Sequence, residues 1–438
     1  MKTVDTLIHA RWLITCEEEN KILENHSLVV NDKKIMAILP THEAQKNYTA
    51  THTENFPGHA IMPGLINAHT HLAMNYFRGL ADDLALMDWL NNHIWPAEKK
   101  WVSHEFVYDA SLFAMAEMIR SGTTCFNDMY FFPIATAEAV DIAGMRAHIG
   151  MTVIDFPTAW AATSEEYFAL GMEFFEKYKN HDLVKATLAP HAPYTVCDKN
   201  LLTVKDIAEK YDLKINLHLH ETRDEIAQSL TQYKMRPIQR LQQLGLMTSR
   251  LIAIHMTDIN EEDLAIVAAS HASVVNCPES NMKLASGICP VIKFKNHGIN
   301  IALGTDGAAS NNDLNMIGEM RTAAFLAKLS NGNPESLPAK EILKHATLNG
   351  AKALGIDHLT GSLSVGKSAD IIAIHLDEIE TLPVYHPASQ IVYAAGRHQV
   401  TDVWCRGKRL LKNRELMTLD EAALKVKARD WAKKIFVV

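Results

Sequence analysis

Cysteine is scarce in this chain: six residues in 438 (Cys16, Cys125, Cys197, Cys277, Cys289 and Cys405), scattered and with no Cys-x-x-Cys pair. That distribution argues against a disulfide framework and a thiolate zinc site, and fits reduced thiols. Long apolar runs are absent as well, so no segment reads as a membrane span. Nor is there a surplus of positive charge, since 43 Lys and Arg against 51 Asp and Glu leave a formal charge of −8 at pH 7. This balance removes the electrostatic reason to expect nucleic acid or an anionic membrane as partner. The opening Met1-Lys2-Thr3-Val4-Asp5 lacks the basic-then-apolar plan of a secretory signal. The expectation is a cytoplasmic protein, a homo-oligomer, acting on a small molecule.

What is present is an ordinary globular composition, 47% hydrophobic and 21% charged, over a length that accommodates one large barrel plus an appendage. Near the N-terminus, Thr6–Thr15, Ser27–Asn31 and Lys34–Leu39 read as short strands. Near the C-terminus, Ala369–His375 and Gln399–Arg406 do the same, with Gly407-Lys408 where a hairpin turn would sit. Neither piece can bury a good core alone. Residues 1–58 and 359–412 are therefore read as one small β-sandwich domain built from both chain ends. Between them, over 59–358, apolar runs alternate with amphipathic stretches. The runs are Ala60–Asn67, Gly122–Asp128, Arg146–Ile154, Val184–Pro190, Lys214–Glu221, Leu251–Met256, Ala272–Cys277 and Ile299–Asp306. Eight such runs with intervening helices predict an α/β fold, a (β/α)₈ TIM barrel. The remainder, 413–438, contains an amphipathic helix over Leu419–Phe436 that would pack on the barrel or on a neighbouring subunit.

A barrel of this kind gathers its chemistry at the C-terminal ends of its strands, and the polar residues fall there. His69 and His71 end the first run; His191 follows the fourth; His218-Leu219-His220-Glu221 ends the fifth, His255 the sixth and Asp306 the eighth. Side chains two apart on a strand point the same way. Alone, His69-Thr70-His71 would read as loop histidines; in this company it reads as half of a metal site. The candidate ligands are His69, His71, His218 and Asp306, a donor set that suits zinc, with iron or nickel as alternatives. His220 shares His218's face by the same rule and stands as its rival. His255 could instead reach a metal-bound water. Lys185 lies near the start of the fourth run, not its end, so a carboxylated lysine bridging two ions is missing and the site is read as mononuclear. A divalent ion lowers the pKa of bound water from roughly 15.7 to about 7. Asp306 is placed to take that water's proton, and Glu221 to shuttle a proton to the substrate. The alternative for Glu221 is a capping role ahead of Thr222-Arg223-Asp224-Glu225.

Several motifs together resemble the amidohydrolase superfamily, and within it the methylthioadenosine/S-adenosylhomocysteine deaminase branch, alongside the triazine hydrolases. They are Met62-Pro63-Gly64-Leu65-Ile66-Asn67-Ala68-His69-Thr70-His71, Phe77-Arg78-Gly79-Leu80-Ala81-Asp82-Asp83, Ile94-Trp95-Pro96-Ala97-Glu98, and Gly122 through Tyr130. Pro190-His191-Ala192-Pro193-Tyr194, His218 through Thr222, Asn276 through Leu284, and Thr305-Asp306-Gly307 complete the set. The resemblance implies hydrolytic deamination at C6 of an adenine ring in a purine nucleoside. It implies that Glu221 protonates N1 and helps ammonia leave, that His255 orients the water and that His191 hydrogen-bonds the purine. Glu98, in the Trp-Pro-x-Glu motif, would accept hydrogen bonds from the ribose hydroxyls.

One departure concerns specificity. Relatives that take S-adenosylhomocysteine can carry an arginine shortly after the third strand; here Met145-Arg146-Ala147-His148-Ile149-Gly150 runs into Met151, with no arginine before Arg223. Met151, with Phe156 and Trp160 downstream, would suit a methylthio group, so methylthioadenosine is expected to be favoured over S-adenosylhomocysteine. The competing functions are a guanine or cytosine deaminase, a triazine chlorohydrolase, or a catalytically inactive assembly protein. The last is disfavoured because all four candidate ligands and Glu221 are present. Gly361 through Ser368 fits the phosphate-loop spacing G-x-x-x-x-G-K-S, but a helical stretch precedes it and a strand follows. That context is reversed, and ATP-dependent chemistry is not expected.

Overall fold

The run Ala60–Asn67 is two strands, not one. In the computed structural model, which describes residues 1–436, Tyr48–Pro63 belongs to one sheet and Leu65–Thr70 to another, and Gly64 is the joint. A Cβ at Gly64 would lie within 2.1–2.6 Å of the Thr124 side chain. Only glycine lets the chain pass so close to its neighbour as it changes sheets.

The second of these sheets holds eight parallel strands in sequence order: Leu65–Thr70, Thr123–Asp128, Arg146–Val153, Val184–Pro190, Ile215–Leu219, Leu251–His255, Ser273–Asn276 and Ile301–Leu303. These are the eight expected runs, most of them shortened at one or both ends. Their burial is nearly continuous because helices cover one face and the barrel interior the other. The first and eighth strands meet through polar contacts. The Asp306 N–H donates to His69 O at 3.1 Å. The Asn67 side chain donates to Thr305 Oγ1 at 2.8 Å and accepts the Thr305 N–H at 3.0 Å. A Cβ at Gly304 would come within 2.8–2.9 Å of His69 backbone and Cβ atoms, so glycine is required at that closure.

Both chain ends contribute to the other sheet, also of eight strands. Lys2–Ile14, Ile22–Asn31, Lys34–Pro40 and Tyr48–Pro63 come from the N-terminal side, and Ile371–His375, Val400–Cys405, Lys408–Lys412 and Glu415–Leu416 from the C-terminal side. The halves join where Ile371–His375 pairs antiparallel with the end of Tyr48–Pro63. Ile8, Leu28, Phe56, Ile371 and Trp404 fall in one buried cluster, so the two halves share a core. Most of Tyr48–Pro63 escaped the sequence reading because its first half is polar and exposed.

Barrel and small sheet are pinned together at the start of the third barrel strand. Arg146 Nη2 lies 3.1 Å from Asp370 Oδ2, and both side chains are buried. Asp370 Oδ1 accepts the Arg406 N–H at 2.6 Å and the Ser368 hydroxyl at 2.9 Å. The preceding turn uses its own lysine: Lys367 Nζ donates to Ser362 Oγ at 2.7 Å and to Thr360 O at 3.3 Å. Strand Ile371–His375 follows, so the turn does not have the architecture of a phosphate loop. The helix Glu421–Phe436 packs on the barrel helix His104–Arg120. Trp431 Nε1 donates to Asp109 Oδ2 at 3.0 Å, and its ring meets Phe106 edge-on with centroids 5.1 Å apart. Among the described residues, no helix is long and apolar enough to cross a membrane.

Removing one partner of a buried ion pair costs about 3–5 kcal/mol, because the other charge is left unpaired. Arg146→Ala is therefore expected to lower unfolding free energy by about that amount in chemical denaturation. A loss within the error of the measurement would contradict the pinning role.

Candidate metal centre and its pocket

His69, His71, His218 and Asp306 each offer one atom to a common point, and those atoms all lie within 4.8 Å of one another. The first barrel strand delivers His69 and His71, the fifth His218, and the turn after the eighth Asp306. The Asp306 Oδ1 atom is 3.3 Å from His69 Nε2 and 3.1 Å from His71 Nε2; His218 Nε2 is 3.2 Å from His69 Nε2. The far nitrogens of two rings are spoken for. His71 Nδ1 donates to Met129 O at 2.6 Å and His218 Nδ1 to His191 O at 2.7 Å. A carbonyl can only accept, so each ring carries a proton on Nδ1 and turns Nε2 inward. Burial pushes the Asp306 carboxyl up, but His69 and His71 outweigh it and hold the group well below the usual carboxylate range. Burial pushes the His71 imidazole down, but Asp306 outweighs it and raises the group to about 9, so a positive charge belongs among these donors. The donor set fits one divalent ion.

Asp306 is held from behind by residues that were not singled out from the sequence. Its Oδ2 accepts the Ser280 hydroxyl at 2.7 Å and the Ser310 hydroxyl at 3.0 Å. His255 is fixed likewise: its Nδ1 is 2.8 Å from Asn281 Oδ1, leaving Nε2 3.8 Å from Glu221 Oε2. Both Asp306 (φ 62°) and His255 (φ 76°) adopt the left-handed backbone region, which costs roughly 1–3 kcal/mol at a non-glycine residue. Ser280 and Asn281 lie in the Asn276–Leu284 motif, a signal that could have pointed to them; Ser310 carried none.

A cavity of about 410 Å³ opens over this centre and is lined by His71, His191, His218, Glu221, His255 and Asp306 at its floor. Glu98, Tyr130, Thr152 and Ile154 form part of the wall, and Leu86, Trp89, Trp95 and Phe156 make the rest largely apolar. Trp89–Ile94 is a π-helical turn, an uncommon form that recurs at functional sites. Glu98 is buried, and burial pushes its carboxyl up to about 7, opposed by the Tyr130 hydroxyl that donates to Oε1 at 2.7 Å. Glu221 is also raised, by burial first, with His255 opposing. Its position leaves it free for chemistry, because capping of helix Arg223–Tyr233 falls to others. Thr222 Oγ1 accepts the Glu225 N–H at 3.3 Å, and the Glu225 carboxylate accepts the N–H groups of His220 and Glu221 at 3.0 and 2.8 Å. His191 is driven down to about 3 by burial and the neighbouring imidazoles His71 and His69, so it is neutral. Its Nδ1 pairs with Thr195 Oγ1 at 3.0 Å, leaving Nε2 unengaged by protein.

Two sequence expectations fail here, and the rival to His218 is set aside. Met151 does not reach the cavity: its side chain packs toward helix Ser164–Tyr178, where a Cβ on Gly171 would meet it at 3.1 Å. The reason is strand alternation; Thr152 and Ile154, of the opposite parity, line the pocket. Trp160 packs edge-on against Tyr167, with centroids 5.6 Å apart, and is not part of the pocket wall. His220 is not a ligand. It lies beyond the strand at φ 53°, so the i, i+2 rule no longer holds. Its Nδ1 donates to Asp258 O at 2.8 Å and its Nε2 accepts the Ile238 N–H at 3.2 Å.

Residues 60–410 match the model of the Amidohydrolase family. A curated relative from Teredinibacter turnerae, named 5-methylthioadenosine/S-adenosylhomocysteine deaminase, is 43% identical over 433 residues, 99% of this chain and 98% of its own. A protein of the same name from Saccharophagus degradans is 44% identical over 431 residues, 98% of this chain and 97% of its own. Among solved structures, an adenosine deaminase from Xanthomonas campestris with bound zinc is 47% identical, with a TM-score of 0.98 and full coverage of both chains.

His218 and His220 make opposite predictions. By equilibrium dialysis, His218→Asn is expected to lose zinc uptake while His220→Asn, if folded, keeps one ion per chain. The reverse pattern would overturn the assignment.

Proposed function

The chain belongs to the amidohydrolase family, and we infer that it is a metal-dependent deaminase of adenine nucleosides, converting 5′-methylthioadenosine and S-adenosylhomocysteine to their 6-oxopurine products and ammonia. The relatives named for that activity match nearly end to end. The observation that carries the reading is the pairing of a four-ligand centre with a buried carboxylate, Glu98, on the same cavity wall. A free-base deaminase has no ribose for such a group to hold. This favours nucleosides over guanine or cytosine, and it gives no role to a triazine chlorohydrolase reading.

His69, His71, His218 and Asp306 would hold the ion, and zinc is the proposed metal, given the donor set and the zinc in the 47% identical structure. When bound, a divalent ion supplies a hydroxide nucleophile near neutral pH. With Asp306 Oδ2 occupied by two serine hydroxyls, Oδ1 is the atom left to take the water's proton. His255 Nε2, fixed through Asn281, orients the water toward C6. Glu221, kept protonated more readily by burial, delivers a proton to N1 and then assists departure of the amino group as ammonia. His191 Nε2 meets the purine edge. Tyr130 fixes Glu98 through Oε1, so that Oε2 can accept from the ribose hydroxyls. Among the described residues the lining carries one Lys or Arg, Lys99, against the apolar stretch of Leu86, Trp89, Trp95 and Phe156, which suits a methylthio group. Methylthioadenosine is accordingly the preferred substrate, on grounds that no longer include Met151.

Ammonia release from the zinc-loaded protein should give a higher kcat/KM for methylthioadenosine than for S-adenosylhomocysteine; comparable values would sink the preference. Glu221→Gln should lower kcat by roughly 10²–10⁴-fold, and a variant of undiminished activity would remove Glu221 from the mechanism.

Glu98 makes a pH prediction. Its carboxyl is raised to about 7, so it is increasingly protonated as pH falls through that value and loses its capacity to accept from ribose. KM for methylthioadenosine is expected to rise as pH drops below about 7, and Glu98→Gln should show a high KM that is flat with pH. An unaltered KM profile in the variant would contradict the ribose role.

A further inference from the structure

Glu319 is fully buried on helix Met316–Asn331 and takes no part in lining the cavity. Its two carboxylate oxygens nevertheless reach two different segments of the metal centre. Oε2 accepts the backbone N–H of Glu279 at 3.2 Å, and Oε1 accepts from the side-chain amide of Asn311. The first segment, Pro278–Lys283, carries Ser280, which donates to Asp306 Oδ2, and Asn281, which holds His255. The second, residues 305–311, carries Asp306 itself and Ser310, and Asn311 ties it further by donating to Thr305 O at 2.7 Å. Additional contacts keep the helix against the first segment. Thr322 Oγ1 donates to Glu279 Oε1 at 2.7 Å, and a Cβ on Gly318 would stand 3.2 Å from that same oxygen.

We infer that Glu319 is a positioning residue for Asp306 and His255, its one carboxylate fastening together the two segments that hold the metal-binding carboxylate and the water-facing histidine. A carboxylate is the group that fits, because both of its neighbours are N–H donors. An amide of the same shape could accept from one and would present its own N–H₂ to the other. Partners that orient metal ligands from behind typically cost roughly 10–100-fold in metal affinity or activity when altered.

The kinetic part of the test rests on the deaminase reading; the metal part does not. In the full chain, Glu319→Gln should weaken zinc retention against a competing chelator by roughly 10–100-fold. It should lower kcat on methylthioadenosine by a similar factor while leaving KM unchanged, since Glu98 and His191, the groups assigned to ribose and purine, are carried by neither segment. Asn311→Ala removes the link from the other side and should give the same signature. The double variant should lose little more than either single one, as expected for residues sharing one interaction. If Glu319→Gln does not fold, Asn311→Ala carries the same zinc and kcat expectations alone. Wild-type zinc retention and kcat in the variants, a loss expressed in KM, or fully additive losses would each overturn the inference. A wild-type protein inert on methylthioadenosine would refute the substrate reading instead, while zinc retention would still decide the role of Glu319.

Discussion

Three imidazole nitrogens and one carboxylate oxygen, crowded to contact distance in a buried place, are unfavourable for a folded chain to assemble. Burial removes the water that would otherwise stabilise the Asp306 charge, and the donors need a positive charge among them. Much of the surrounding structure is what keeps them there. The carbonyls of Met129 and His191 aim two of the rings, and Ser280 and Ser310 occupy the outer oxygen of Asp306. Asp306 and His255 sit in left-handed backbone conformations that a relaxed chain would avoid. The barrel seam at Asn67 and Thr305 lies beside the ligands it brings together, and Gly304 lets that seam close. A divalent ion at the centre would supply that charge, so metal binding and order at the top of the barrel would be coupled.

Around that centre the work is divided by element. Strands one, five and eight, with the turn that follows the eighth, carry the candidate ligands, and the sixth carries His255. In the proposed reaction selection belongs to the wall. The segment from Leu86 to Glu98 and the end of the third strand, with Phe156, shape an apolar space that holds one buried carboxylate at about 7. The same low-dielectric surroundings that raise Glu98 and Glu221 also strengthen the hydrogen bonds they make. In the proposed reaction burial thus serves both proton transfer and recognition.

Much of this was legible in the sequence, for a physical reason. Strand ends in a barrel are fixed points, so His69, His71, His218, His255 and Asp306 could be placed by counting apolar runs. Where local geometry departs from the regular strand, the reading broke down. Gly64 switches sheets within an unbroken apolar run, and His220 leaves the strand at φ 53°. Met151 failed for a different reason: alternation states that neighbours face opposite ways, but not which of them faces the pocket. Ser280, Ser310 and Asn281 act through backbone folding that brings distant segments together, and their residue types alone carry no such signal. The first half of Tyr48–Pro63, polar and exposed, gives no hydrophobic pattern to find.

The most direct test of the central claim is the mass spectrum of the product formed from methylthioadenosine in heavy-oxygen water by protein carrying one zinc ion per chain. The account predicts methylthioinosine labelled with the heavy oxygen at C6, and the ribose-purine bond intact. Release of adenine, or a requirement for a second ion before any product forms, would contradict it.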